Sequence, residues 1–170
     1  APESTEQVLH PEKFLERERP VAVSAAPVPS LSPRSELRRD ILGELELRVL
    51  FYTQMADADA EAAAAGWGGD RLGVYGDAKD EGKPVVVVDL STWDSDEDAQ
   101  QAEAAFKVVM ARGAKGSGAV SAPAQYDRDG EAFAVERRGR EVLALFGVPL
   151  AQKAQVADEV WKSWKVAEHP

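Results

Sequence analysis

The chain has 170 residues, with 20 Lys and Arg against 30 Asp and Glu for a net charge of −10, and it contains no cysteine. The length fits one domain with a core that needs no disulfide or zinc staple, and the missing cysteines exclude a disulfide framework, a thiol nucleophile and a thiolate metal site. The only two histidines, His10 and His169, stand near opposite ends, which argues against a His-rich metal site or a conventional triad. The acid excess argues against nucleic acid and anionic membrane as partners. No apolar run approaches the ~20 residues of a membrane span. The first residue is Ala and not Met, which reads as a processed product or a part of something larger.

Six of the ten prolines fall within residues 1–33. Proline fixes its own φ and biases the residue before it toward extended geometry, so this stretch reads as an extended arm with one turn around residues 11–15. Val8, Leu9, Phe14 and Leu15 favour docking of the arm, and residues 21–23 with Val28 suit a sheet edge. Ser32 and Pro33 then look like an N-cap and first position of a helix. Leu37, Ile41, Leu45 and Val49 recur at helical spacing through about Met55. Arg34, Arg38 and Arg39 would then crowd a helix start, where the dipole disfavours cations, which points to a local acidic partner such as Glu16 or Glu18, or to an interface. A second, Ala-rich helix over residues 57–65 stops at Gly66, read as a Schellman-type cap with Trp67 as its hydrophobic contact.

Residues 71–75 and 85–90 read as two strands joined by an exposed loop. The run of four valines has no alternation, as expected of a central strand covered on both faces. Ser95 or Asp94 caps the next helix, with Asp96, Glu97 and Asp98 in its first turn and Ala99, Ala102, Phe106, Val109 and Met110 on its apolar face. Residues 112–125 form a small-residue loop. Residues 131–136 and 140–148 make a second hairpin, and Pro149 opens a last helix with Leu150, Ala154, Ala157, Val160, Trp161 and Trp164 on one stripe. Two hairpins separated by a helix give an α+β fold: an antiparallel sheet with helices packed on it, with an extended Pro-rich arm over residues 1–33 and a single domain over 34–170.

No constellation carries chemistry on its own. The acidic run at residues 94–98 lacks the Gly and the bidentate Glu that a calcium loop needs six and twelve positions in, so it reads as helix capping. Asp127 to Gly130 lacks the rest of such a loop and reads as a turn. Gly66, Trp67, Gly68, Gly69, Asp70 and Arg71 follow a helix and open a strand, the reverse of a phosphate-binding order, and are a structural turn. Glu44 is as well explained by a solvated helix position as by a function. Trp161 and Trp164 read as core.

Residues 4–13, Ser-Thr-Glu-Gln-Val-Leu-His-Pro-Glu-Lys, and residues 64–71, Ala-Ala-Gly-Trp-Gly-Gly-Asp-Arg, with Gly43-Glu44-Leu45 between them, resemble the C-terminal half of a family of secreted or lipid-anchored zinc-metallopeptidase-like proteins. The resemblance covers roughly residues 4–94. In that family an upstream part carries an H-E-x-x-H helix, which this chain lacks, so the resemblance transfers no zinc ligand, no catalytic residue and no cofactor. It implies a non-catalytic domain of an exported protein, binding or supporting a protein partner, with Glu6, His10, Phe14, Arg34, Arg38 and Arg39 at an interface or interdomain joint. The alternative is a free-standing protein–protein interaction or assembly module; oligomeric state is left open.

Overall fold

The computed structural model describes residues 1–79, 83–113 and 125–167. Its centre is an open six-stranded antiparallel sheet of β2 (Ser35–Asp40), β3 (Trp67–Gly76), β4 (Val86–Trp93), β5 (Gln125–Arg128), β6 (Glu131–Arg138) and β7 (Glu141–Pro149), in the order β2-β3-β4-β7-β6-β5. One face is covered by α3 (Gly43–Tyr52), α4 (Asp57–Ala64) and α5 (Asp96–Gly113), around Leu47, Phe51, Trp67, Trp93, Phe106 and Val135. The other is covered by α6 (Lys153–Ser163) and by the N-terminal segment, around Val23, Val28, Leu31, Val88, Leu145 and Val160. The fold is α+β, with helices packed on an antiparallel sheet.

β4 behaves as its valine run predicts. Val86, Val88 and Leu90 point into one core and Trp93 into the other, and β4 pairs with β3 on one side and β7 on the other. The cap of α5 is also as expected: Ser95 Oγ accepts from the Asp98 N–H at 3.1 Å and donates to Asp98 Oδ2 at 2.6 Å, satisfying an N–H that the helix leaves unpaired. On α6 the buried row is Val156, Ala157, Val160 and the capping Trp164, while Leu150 and Ala154 are exposed. The expected turn after β5 is present, with Asp129 and Gly130 both at positive φ, although β5 itself has no sequence signal strong enough to predict it. Residues 114–124 of the small-residue loop, 80–82 of the first hairpin loop and His169 lie outside the described residues.

Two expectations for residues 32–67 are corrected, and a third for the arm. The helix drawn from Ser32 is a strand over Ser35–Asp40, and only Gly43–Tyr52 is helical. Glu36, Leu37, Arg38 and Arg39 are good helix formers, but pairing with β3 overrides that weak preference. Their charges consequently face no helix dipole: Arg38 pairs with Asp40, and Arg39 with Glu36 at 2.7 Å. Gly66 is not a left-handed cap. It has no room for a side chain because Asp98 lies against it, and Trp67 begins β3 directly.

The arm is not simply extended. It contains α1 (Glu6–Leu9) and α2 (Pro11–Glu16), then β1 (Val23–Ser24), which pairs antiparallel with β8 (Lys165–Val166). Trp164 Nε1 donates to the Ala26 carbonyl at 2.9 Å, and the Val21 N–H donates to the Gly68 carbonyl at 2.7 Å. Among the described residues, no helix is long and apolar enough to cross a membrane.

Candidate interaction site at the arm junction

The segments that carry the sequence resemblance meet in space. α1 packs beside the first turn of α3, and Asp70 on β3 anchors that turn from below. Asp70 Oδ2 accepts from the Leu42 N–H at 2.9 Å, and Oδ1 accepts from the Gly43 N–H at 2.8 Å and from Trp67 Nε1 at 2.9 Å. A carboxylate on the free N–H groups of a helix start satisfies both hydrogen bonding and the dipole. Burial, the larger influence, still raises the Asp70 pKa against these bonds.

Gly43 has φ +77°, and a side chain there would run into Thr5 Oγ1. The same Oγ1 accepts from the Leu45 N–H at 3.3 Å. Gly69 likewise admits the backbone of Val21, whose carbonyl occupies the space a Cβ would need. The arm thus meets the body at two glycines, through the Thr5 side chain at Gly43 and backbone to backbone at Gly69.

The ionic contacts of the junction are built on His10 and Lys13. His10 Nε2 lies 2.9 Å from Glu44 Oε1, and Glu44 is 1% exposed. Burial raises the Glu44 pKa, with the His10 contact opposing it, and Oε2 of the same carboxyl has no protein partner. The Lys13 ammonium is held by Glu6 at 2.5 Å, Asp94 at 2.7 Å and Glu18 at 3.1 Å. Burial acts to lower the Lys13 pKa, but the bonds to these three carboxylates outweigh it and the pKa rises.

For Glu6 the balance runs the other way. Burial pushes its carboxyl up to about 7, with Asp94 and Glu18 adding to the effect and Lys13 opposing it. Oxygens of Glu6, Glu18 and Asp94 can come within 4.8 Å of one another, a spacing compatible with a cation. The Lys13 ammonium stands among them, so the cluster is an ion-pair knot in which the protein's own cation supplies the positive charge.

Above Asp70 lies a cleft of about 380 Å³ bordered by Thr5, Val21, Ile41, Gly43, Trp67 and Asp70. Outside it, α3 turns Leu45 and Val49 to solvent, 42% and 54% exposed, while Ile41, just before the helix, is 51% exposed and Val8 of α1 is 64% exposed. Of the repeat expected at helical spacing, Leu37 lies in β2 and Ile41 before the helix; only Leu45 and Val49 are on α3, and they mark its outer face. The buried face of α3 is Glu44, Leu47 and Phe51.

Of the residues singled out from sequence, Glu6 and His10 lie in the junction, and Phe14 is exposed on α2 beside it. Trp67, Gly69 and Asp70 lie beneath it, and Arg71 donates through Nε to the Val23 carbonyl at 3.0 Å, fastening the arm on the other side of β3. Arg34, Arg38 and Arg39 belong to the β2 edge and its approach, apart from this cluster. Sequence reasoning did not place Lys13, Glu18, Glu44 and Asp94 together. Gly43-Glu44 was visible as a string, but Glu44 meets His10 across 34 positions, a separation that carries no local pattern.

Asp89 was missed as well. It is 1% exposed, lies in register with Leu72 and Ala144, and neither of its oxygens has a protein partner. Burial raises its pKa well above the ordinary carboxylate range, with the charge of Asp70 adding to the effect.

A family model described as Domain of unknown function (DUF8575) matches residues 31–159. The chain belongs to this family. The match contains the body half of the junction, with Glu44, Asp70, Asp89 and Asp94, and stops short of the arm half. No curated protein and no solved structure matches the chain.

Proposed function

We propose that this chain is a non-catalytic domain of an exported protein, resembling the C-terminal part of a zinc-metallopeptidase-like protein, that works by binding or supporting a protein partner. The observation behind it is that the polar groups of the resembling strings are spent on one another. Lys13 is surrounded by its three carboxylates, His10 faces Glu44, and Asp70 takes three donors. Such an arrangement fastens a segment, whereas catalysis needs groups converging on a space that a substrate can enter. Export is carried by the resemblance.

The test is a peptidase assay of the purified chain with added zinc, with and without a chelator, on a quenched peptide library. No chelator-sensitive hydrolysis is expected; metal-dependent turnover would overturn the proposal. The exposed row on α3 favours a second reading, a free-standing assembly module. Light scattering separates the two: self-association that grows with concentration and buries more than ~1,000 Å² supports the assembly module, and a strict monomer supports the partner-binding domain.

A further inference from the structure

We propose that residues 4–18 form a pH-sensitive strap over the start of α3, closed in mildly acidic solution and lifting as the pH rises through neutrality. Such a device goes beyond the reading of the chain as a binding domain and does not depend on it. Among the described residues, both apolar cores are built from positions beyond 20, while Val8, Phe14 and Leu15 are 64%, 42% and 78% exposed. The strap is held to the body by polar links instead: Lys13 to Asp94 at 2.7 Å, His10 to Glu44 at 2.9 Å, and the Leu45 N–H to Thr5 Oγ1 at 3.3 Å. An element with no share in a core belongs to the low-stability end of a fold, where local opening precedes global unfolding.

The strap is also tied within itself. The Glu18 N–H donates to the Lys13 carbonyl at 3.0 Å, and Gln7 Nε2 donates to the Glu18 carbonyl. Arg19 and Pro20 then separate it from Val21, whose N–H is fixed on the Gly68 carbonyl at 2.7 Å. The Arg19 side chain is 75% exposed and faces Glu3 of the arm itself at 3.6 Å, so these two residues are the hinge.

What the latch lacks is positive charge. Glu6, Glu18 and Asp94 surround Lys13, and Glu44 meets His10, whose Nδ1 lies 3.5 Å from Glu12. Arg48 on α3 is the other fixed cation that acts on Glu44, and it pairs with Glu61 at 2.9 Å. Four carboxylates thus share Lys13 and one imidazole, and two of the four, Glu6 and Glu44, are buried. A buried carboxyl without a full counter-charge is favoured as the neutral acid, so closing the strap takes up protons. Burial accordingly raises both pKa values, that of Glu6 to about 7 against the pull of Lys13 and that of Glu44 against His10. Lifting the strap returns both groups to water and to the ordinary value of 4.5. The stabilisation of the closed form by Glu6 is therefore complete below pH 4.5 and is lost as the pH rises through 7.

The test is hydrogen exchange of the full chain, pulse-labelled at pH 5, 6, 7 and 8, corrected for intrinsic exchange rates and read by mass spectrometry in peptides covering residues 4–18, 42–47 and β4. Residues 4–18 should be less protected than β4 at every pH. Their protection, and that of residues 42–47 with the Leu45 N–H, should fall at least about tenfold from pH 5 to pH 8. Glu6→Gln should reduce that fall to a few-fold, and E6Q/E44Q should remove it. Near-ultraviolet circular dichroism reports whether each variant folds, and Glu6→Gln alone decides the matter if the double variant does not.

Protection of residues 4–18 equal to that of β4 at every pH, protection that is constant or rises with pH, or a fall that Glu6→Gln leaves unchanged overturns the inference. So does a loss confined to residues 4–18 with 42–47 unmoved, because the strap would then fray without lifting from α3. Metal-dependent peptidase activity would instead remove the proposed function and leave the strap standing.

Discussion

Replacing Glu6 by Gln should make the protein more stable at neutral pH, although it removes one partner of a 2.5 Å ion pair. The carboxyl is 3% exposed, and burial pushes its pKa from the ordinary 4.5 up to about 7 against the pull of Lys13. Folding therefore favours the protonated form. The stabilisation from this group is fully present below pH 4.5 and is lost as pH rises toward 7. At about 1.4 kcal/mol per pH unit, the loss across that window is about 3 kcal/mol. Gln keeps the shape and does not titrate, and Lys13 retains Asp94 and Glu18 as counter-charges. Urea unfolding followed by tryptophan fluorescence at pH 4.5, 5.5, 7 and 8 should show variant and parent converging at the acid end. At pH 7 and above the variant should be ahead by about 1–3 kcal/mol, the range allowing for coupling within the cluster. A variant that is less stable than the parent at pH 7 would refute the reasoning, since it would mean that the attraction of Lys13 exceeds the cost of burying Glu6.

Lys13→Met should cost about 3–5 kcal/mol at pH 7, because it leaves three neighbouring carboxylates without their cation; the penalty should shrink on acidification as they protonate, read from the same urea curves. Gly43→Ala should cost more than about 1 kcal/mol, combining strain at φ +77° with the collision at Thr5 Oγ1. Adding Thr5→Ala should recover the collision but not the strain, which a double-mutant cycle separates. For Asp89, a raised pKa means stability that is present below the ordinary carboxylate range and lost as pH climbs. Asp89→Asn should therefore flatten the stability–pH curve above the ordinary carboxylate range, and an unchanged slope there would count against a protonated Asp89.

What the sequence made legible was local. The valine run of β4, the Ser95 cap of α5, the turn before β6 and the buried row of α6 each have a cause within a few residues. β2 is different. Its backbone is held by β3 more than thirty positions away, its side chains are mostly exposed, and an exposed edge has no alternation to read. α3 illustrates a second limit: it has two apolar rows, Leu45-Val49 and Leu47-Phe51 with half-buried Leu50. Periodicity marks both as helical and assigns neither to the core. The deciding residue is Glu44, a charged side chain buried in the inner row because His10 meets it. A buried carboxylate is the residue that hydropathy places on the outside.

The same contacts that bury Glu44 also set which apolar row faces solvent. Within the first turn of α3, the Gly43 N–H is fixed by Asp70, the Glu44 carboxyl by His10 and the Leu45 N–H by Thr5. Rotating the helix to bury Leu45 and Val49 would break all three and expose Leu47 and Phe51, which are now fully buried. Truncating a buried Leu or Phe to Ala typically costs about 2–5 kcal/mol each, so the outward row is the consequence of a strongly preferred orientation. Two of those three anchors, Thr5 and His10, come from the arm. The arm junction and the outward face of α3 are in this sense one device: residues 4–18 hold α3 at the angle that leaves Leu45 and Val49 exposed, and weakening the knot at Lys13 should loosen α3 before it loosens the sheet.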